Sequence, residues 1–99
     1  MRDPRVTAKA KDDLREIWYA LASKGDERAA DRLVSRILDK CRSRARFPET
    51  GRLRAEIGPG LRSFLVQPYV VFFRPIEDTI LVLRIIHSRR DLKQFAFDE

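Results

Sequence analysis

One cysteine and one histidine are all the thiol and imidazole that this 99-residue sequence offers. Cys41 has no second thiol for an internal disulfide, and a lone thiol suits a reducing compartment. Cys41 and His87 alone cannot make a metal cluster, so no metal is expected. Glycine is scarce as well. Three of the four glycines fall between residues 48 and 60, in no phosphate-cradling pattern. No Ser/His/Asp nucleophile motif is visible either, so no cofactor is expected. Apolar runs such as Ile80-Leu81-Val82-Leu83 are far short of the roughly 20 residues of a membrane span, and no membrane association is expected. Met1-Arg-Asp-Pro-Arg5 leads into no apolar stretch, so a secretory signal is not expected and the cytoplasm is the expected location.

What remains is a small, basic chain. Its length makes one domain over residues 1–99, with a modest core of roughly 60–65% of the unfolded surface. The formal net charge is +6. The excess is concentrated in residues 40–54, where Lys40, Arg42, Arg44, Arg46, Arg52 and Arg54 stand against Glu49 alone. Such a cluster fits an acidic partner, either nucleic acid or protein. Lysine and arginine also complement the carboxyl end of a helix, which is the plainer use of any one of them.

The first half reads as two helices. Thr7 is suited to cap the first, accepting from a free backbone N–H. Ala10, Leu14, Ile17, Trp18 and Leu21 follow at helical spacing, and Gly25 can end the helix in the left-handed conformation. Asp26 then caps a second helix with Ala30, Leu33, Val34, Ile37, Leu38, Cys41 and Ala45 on its apolar side. Pro48 stops it. So short a connection makes an antiparallel hairpin. Arg28, Arg32, Arg36, Lys40 and Arg44 recur at every fourth residue, where like charges oppose the helix by about 0.2–0.5 kcal/mol per pair. Asp31 and Asp39 are placed to relieve the first part of that row, and nothing acidic relieves Lys40 and Arg44.

The second half reads as a loop from Pro48 to Gly60 and then three strands, over 61–66, 69–74 and 79–87. Gln67-Pro68 and Glu77-Asp78 are tight turns, so the three are antiparallel neighbours. Pro75 is expected to end the middle strand. Strict alternation puts Leu81, Leu83 and Ile85 on one face of the last strand, and Ile80, Val82, Arg84 and Ile86 on the other. Both faces are apolar, so one covers the helices and the other needs a second cover. Residues 91–97 can form a short terminal helix presenting Leu92, Phe95 and Phe97.

Leu61-Arg62-Ser63-Phe64, then Tyr69-Val70-Val71-Phe72-Phe73-Arg74-Pro75, then Leu83-Arg84-Ile85-Ile86-His87-Ser88-Arg89-Arg90-Asp91, in that order behind two helices, resembles the RelE/ParE toxin superfamily, and its ParE branch more closely. The resemblance implies an α+β fold: an N-terminal helix hairpin packed on a small, mainly antiparallel β-sheet, a first strand at Arg5-Val6-Thr7, and the short C-terminal helix. It also implies the toxin of a type II toxin–antitoxin pair. A ParE toxin stabilises the cleaved-DNA complex of DNA gyrase without bond chemistry of its own. It forms a hetero-oligomer with a ParD-like ribbon-helix-helix antitoxin, whose helix and extended segment lie along the hairpin and sheet edge. Leu14, Trp18, Leu21, Leu33 and Ile37 are the positions expected to line or support that groove.

RelE relatives are instead ribosome-dependent mRNA endonucleases, with cations on the sheet face to stabilise a crowded phosphate. In the alignment anchored on Tyr69, their second-strand lysines fall near Leu61 and Ser63 and the following arginine at Val70. If this chain were such a nuclease, Arg62, Arg84, His87 and Arg90 would carry the reaction, with Arg74 nearby. The plainer role for Arg84 and His87 is to fix the C-terminal turn. A non-toxic basic binding module is the third reading.

Overall fold

The structure is a computed structural model that describes residues 2–92. Strand β1 (Arg5–Val6) leads into helix α1 (Ala8–Ala22), followed by α2 (Glu27–Ala45), β2 (Arg52–Leu53), β3 (Arg62–Val66), β4 (Tyr69–Ile76) and β5 (Thr79–His87). One five-stranded sheet has the order β1-β5-β4-β3-β2. Only the β1–β5 pair is parallel; the other pairs are antiparallel. The α+β architecture implied by the sequence is the one observed. Of the C-terminal helix expected over 91–97, everything beyond Leu92 lies outside the described residues. Among the described residues no helix is long and apolar enough to cross a membrane.

Local chemistry sets the helix boundaries. The Thr7 hydroxyl accepts from the Ala10 N–H at 3.1 Å and donates to the Leu83 carbonyl at 3.1 Å, so the residue that starts α1 also ties it to β5. Gly25, at φ +90, takes the left-handed conformation that closes the turn after α1. Asp26 accepts from the Ala29 N–H at 3.0 Å and starts α2.

The helices cover one face of the sheet. There Ile17, Ile37 and Cys41 pack with Phe64, Val71, Phe73, Ile80, Val82 and Ile85. On the opposite face Leu61, Phe72, Leu81, Leu83 and Ile86 form a second apolar cluster. Ile57, from the loop between β2 and β3, and Leu92 pack against this second cluster. The cover that the sequence required is therefore supplied by the chain itself.

Three expectations are corrected. The stretch 48–60 is not all loop, because Arg52–Leu53 pairs with Arg62 and Ser63. Strand β4 does not stop before Pro75 but runs to Ile76, with Pro75 opposite Ile80. Pro75 lies past Phe73, the last β4 residue paired with β3, so one side of β4 is an edge there, a setting that tolerates proline. Third, Ile85 belongs with Ile80 and Val82, and Ile86 with Leu81 and Leu83. Phe72 opposes Arg84 while Phe73 opposes Val82, which leaves Leu83 as an extra residue in β5. That β-bulge exchanges the faces of everything after it.

Asp13 holds the bulge. Its carboxylate accepts from Arg84 Nε and Nη2 and from the Ile85 backbone N–H, each at 2.9 Å. A bulge disrupts the ladder and leaves main-chain groups in need of partners. The side chain from α1 supplies one and neutralises the arginine at the same place. These bonds to Asp13 push the Arg84 guanidinium above its usual range.

Candidate functional site

Where β4 begins and β5 ends, Asp13, Glu16, Tyr69, Arg84, His87 and Arg90 surround a cavity of about 250 Å³. It gathers three of the residues a nuclease would need: Arg84, His87 and Arg90. Its chemistry is mixed, because Arg84 is committed to Asp13 and Glu16 adds a further acid. The His87 ring meets Tyr69 edge-on, with centroids 5.4 Å apart, and its Nδ1 accepts from the Arg89 N–H at 3.2 Å. His87 thus fixes the turn after β5. Arg62 is elsewhere, donating to the Gly51 carbonyl at 3.1 Å on β3. Arg74 lies on the second-cluster side of the sheet and donates to the Pro59 carbonyl at 3.3 Å.

The sheet face opposite the helices is where the aligned nuclease cations would stand. Leu61 is fully buried there, Ser63 is 4% exposed, and Val70 packs on the second apolar cluster. The charged groups at this face hold the cover in place. Arg54 sits over the Phe72 ring at 5.5 Å, donates to Glu56 at 2.8 Å and reaches Ser63 Oγ at 3.3 Å. Glu56 is in turn held below the usual carboxylate range, first by its bond from Arg54.

The hairpin positions differ in depth. Ile37 is completely buried, and Leu14 and Leu33 are half-buried against the same cluster. Trp18 and Leu21 are half-buried, and Trp18 donates from its ring N–H to Asp31 at 2.8 Å. Its neighbour Tyr19 is 69% exposed.

The basic window is divided between the two faces. Lys40, Arg42, Arg46 and Arg52 are exposed. Arg42 pairs with Asp39 at 2.7 Å. Arg44 lies over the Phe64 ring at 5.1 Å on the helix side, whereas Arg54 is on the other side. Sequence reasoning missed Asp13, because an acid between two apolar helix positions gives no sign of a partner 71 residues away. Cys41 is buried, and burial pushes its thiol up to about 12, which removes it as a nucleophile near neutral pH. No group of acids, cysteine and histidine that could hold a metal occurs among the described residues.

Fold and surfaces together define a small basic protein whose exposed chemistry suits binding another macromolecule. Residues 5–92 match the family described as the ParE toxin of the type II toxin–antitoxin system parDE, and the chain belongs to that family. It is 30% identical over 80 residues to Toxin ParE3 of Caulobacter vibrioides, covering 81% of this chain and 80% of that one. It also resembles a solved chain of the chromosomal ParDE toxin–antitoxin system from P. aeruginosa, with a TM-score of 0.75 and 25% identity over 88% of this chain and 96% of that chain.

Proposed function

We propose that this ParE-family toxin acts by binding DNA gyrase and stabilising its cleaved-DNA complex, with no bond-making chemistry of its own. It works in the cytoplasm and is neutralised in a hetero-oligomer with a ParD-like ribbon-helix-helix antitoxin. The observation that carries this reading is the sheet face at Leu61, Ser63 and Val70. A nuclease needs cations where these residues are buried or packed on an apolar cluster. Each lost transition-state donor typically removes about 2.7–4 kcal/mol of stabilisation. The one place where arginine and histidine gather, around His87, contains acids as well.

The test sets the purified toxin against two targets. With gyrase and supercoiled DNA, cleaved DNA should accumulate; mRNA on translating ribosomes should stay intact. Codon-specific mRNA cuts that disappear in His87→Ala and Arg90→Ala would replace this reading with the ribosome-dependent nuclease. The antitoxin half is tested by co-purification with a ribbon-helix-helix partner. Trp18→Ala and Leu21→Ala should weaken that complex, since amphipathic helices anchor through residues at three- and four-residue spacing. Leu14, Leu33 and Ile37 support the same surface from below.

A further inference from the structure

We infer that a strip of arginines on the sheet face away from the helices binds the sugar–phosphate backbone of duplex DNA, so that the toxin touches the DNA of the gyrase complex as well as the enzyme. This deepens the proposed function and rests on it for its setting; the strip itself can be tested on DNA alone.

Strand register places the arginines. Arg5 on β1 and Arg74 on β4 both stand opposite Leu81 of β5. On the other side of β4, Arg62 stands opposite Phe73, which brings Leu61 level with Arg74. The Leu61 carbonyl in turn accepts from the Arg54 N–H at 2.7 Å. One line across the sheet therefore reads Arg5, Leu81, Arg74, Leu61, Arg54. Partners across a ladder share a face, and Leu61 and Leu81 belong to the cluster away from the helices. Val6 packs on the helix side, so alternation turns Arg5 to the opposite one. Arg52 stands opposite Ser63 and hence level with Phe72, which puts it on this face too.

The leucines of this line are sealed, and the outermost arginines are not. Leu61 and Leu81 are 0% and 5% exposed. Arg5 and Arg52 are exposed, and among the described residues neither takes part in an ion pair. Arg74 lies between them, half-buried, with its Nε donating to the Pro59 carbonyl at 3.3 Å. Arg54 is the inner member. Its side chain is 14% exposed and bonds to Glu56 at 2.8 Å, so that acid offsets Arg54 and leaves Arg52 uncompensated. Arg5 and Arg52 stand on the two edge strands, four strand spacings or about 19 Å apart, with Arg74 midway.

A repeating polyanion suits this strip better than an acidic protein. With Leu61 and Leu81 sealed between the cations, an apolar side chain of a protein partner has nothing to pack on there. What projects is positive charge at intervals of roughly 10 Å, two strand spacings. A DNA strand advances about 3.4 Å per phosphate, so the strip is as long as five or six phosphates, and three flexible guanidiniums can each meet one. Guanidinium forks bind phosphate oxygens in pairs. Contacts of this kind position a protein on DNA without reading its sequence.

The probe is a fluorescent DNA duplex of arbitrary sequence, titrated with the full chain across a salt series. Log affinity should fall against log salt with a slope of about −2.7, the value for three phosphates. Arg5→Gln with Arg52→Gln should reduce that slope to about −0.9. Arg5→Lys with Arg52→Lys should keep most of it. Arg28→Gln with Arg32→Gln, at exposed positions on α2, should leave it unchanged. Circular dichroism should be the same for all. In the gyrase assay, the Arg5→Gln, Arg52→Gln chain should trap less cleaved DNA while binding DNA-free gyrase normally. Absence of duplex binding at about 50 mM salt, an unchanged slope without Arg5 and Arg52, or an equal loss without Arg28 and Arg32 would overturn the inference. So would tighter binding of polyglutamate or single-stranded RNA of equal charge. A double variant that loses the duplex yet traps cleaved DNA at full strength would leave the gyrase reading standing and overturn the contact. If the unsubstituted chain traps no cleaved DNA, the gyrase reading falls, and the duplex titrations still decide the strip.

Discussion

Where α1 meets β5, an acid and a base from distant parts of the chain are pressed together out of solvent. Where α2 runs past β3, three bases stand in a row and no described acid is paired with them. At the first seam the Asp13 and Arg84 side chains are 9% and 15% exposed and bond to each other through both carboxylate oxygens. At the second, Arg36 and Arg44 reach only carbonyl, hydroxyl and ring partners. Charge at the first seam is compensated within the chain and specifies the fold, because it fastens the bulge that decides which residues of β5 face the helices. Charge at the second has no acid paired with it among the described residues.

The sharpest way to break this contrast is Asp13→Ala. Removing one member of a buried pair leaves an uncompensated charge and typically costs about 3–5 kcal/mol. The Ile85 N–H loses its partner in the same change. Urea denaturation should show the loss. A loss below about 1 kcal/mol would mean that water already serves Arg84 and that the two seams are alike. Asp13→Leu combined with Arg84→Met should recover much of the stability, since an apolar replacement of a buried ion pair is often close to neutral.

A second test asks whether the inner side of α2 is dry although its outer side is charged. Burial raises the Cys41 thiol from an ordinary 9.0 to about 12. An acid whose pKa is raised on folding stabilises the native state fully below the unfolded value. That contribution is lost as pH rises from about 9 toward about 12, by about 1.4 kcal/mol per pH unit. Comparing the chain with Cys41→Ala isolates this slope from the tyrosines and lysines. The unsubstituted chain should lose stability faster over that range. Parallel curves would show that Cys41 is solvated.

Much of this arrangement was legible in the sequence because its signals are local. Thr7 and Asp26 cap the helices as their hydroxyl and carboxylate predict, and the last strand occupies 79–87 as read from its apolar run. The faces of Ile85 and Ile86 were not legible. A two-residue period assumes an unbroken ladder, and the bulge that breaks it is held by Asp13, more than 70 residues earlier. The candidate surfaces were legible as composition rather than as place. Among six cations close in sequence, Arg44 and Arg54 come to lie over rings on opposite sheet faces, with the edge strand Arg52–Leu53 between them in the chain. The row on α2 was visible as a four-residue period. That it lies beside β3 follows only from Arg36 meeting Gln67.

A smaller effect tests the first seam from its other end. Thr7→Ala removes the cap of α1 and the bond to the Leu83 carbonyl within the bulge. The cap alone is worth about 1 kcal/mol, and the second bond a similar amount. Urea denaturation should place Thr7→Ala clearly below Asp13→Ala in effect. The two losses should fall short of adding, because both residues hold the same turn of β5. Full additivity would show that Thr7 acts on the helix only.

The smallest effect on stability is expected from the second seam and the loop after it. Arg44→Gln, Arg46→Gln and Arg52→Gln together remove three charges, and Arg46 and Arg52 are exposed. Exposed substitutions usually shift stability by less than about 0.5 kcal/mol each. Arg44 also gives up its place over Phe64, so it should contribute most of whatever loss is seen. The charges matter at longer range, because attraction between exposed groups extends over about 8 Å at physiological salt. Association with an acidic partner should therefore slow in the triple variant, mainly through the on-rate, and depend less steeply on salt. Binding kinetics across a salt series measure both. An on-rate and salt slope equal to those of the unsubstituted chain would reduce these charges to a solvated surface, leaving only Arg36 and Lys40 to distinguish the second seam from the first.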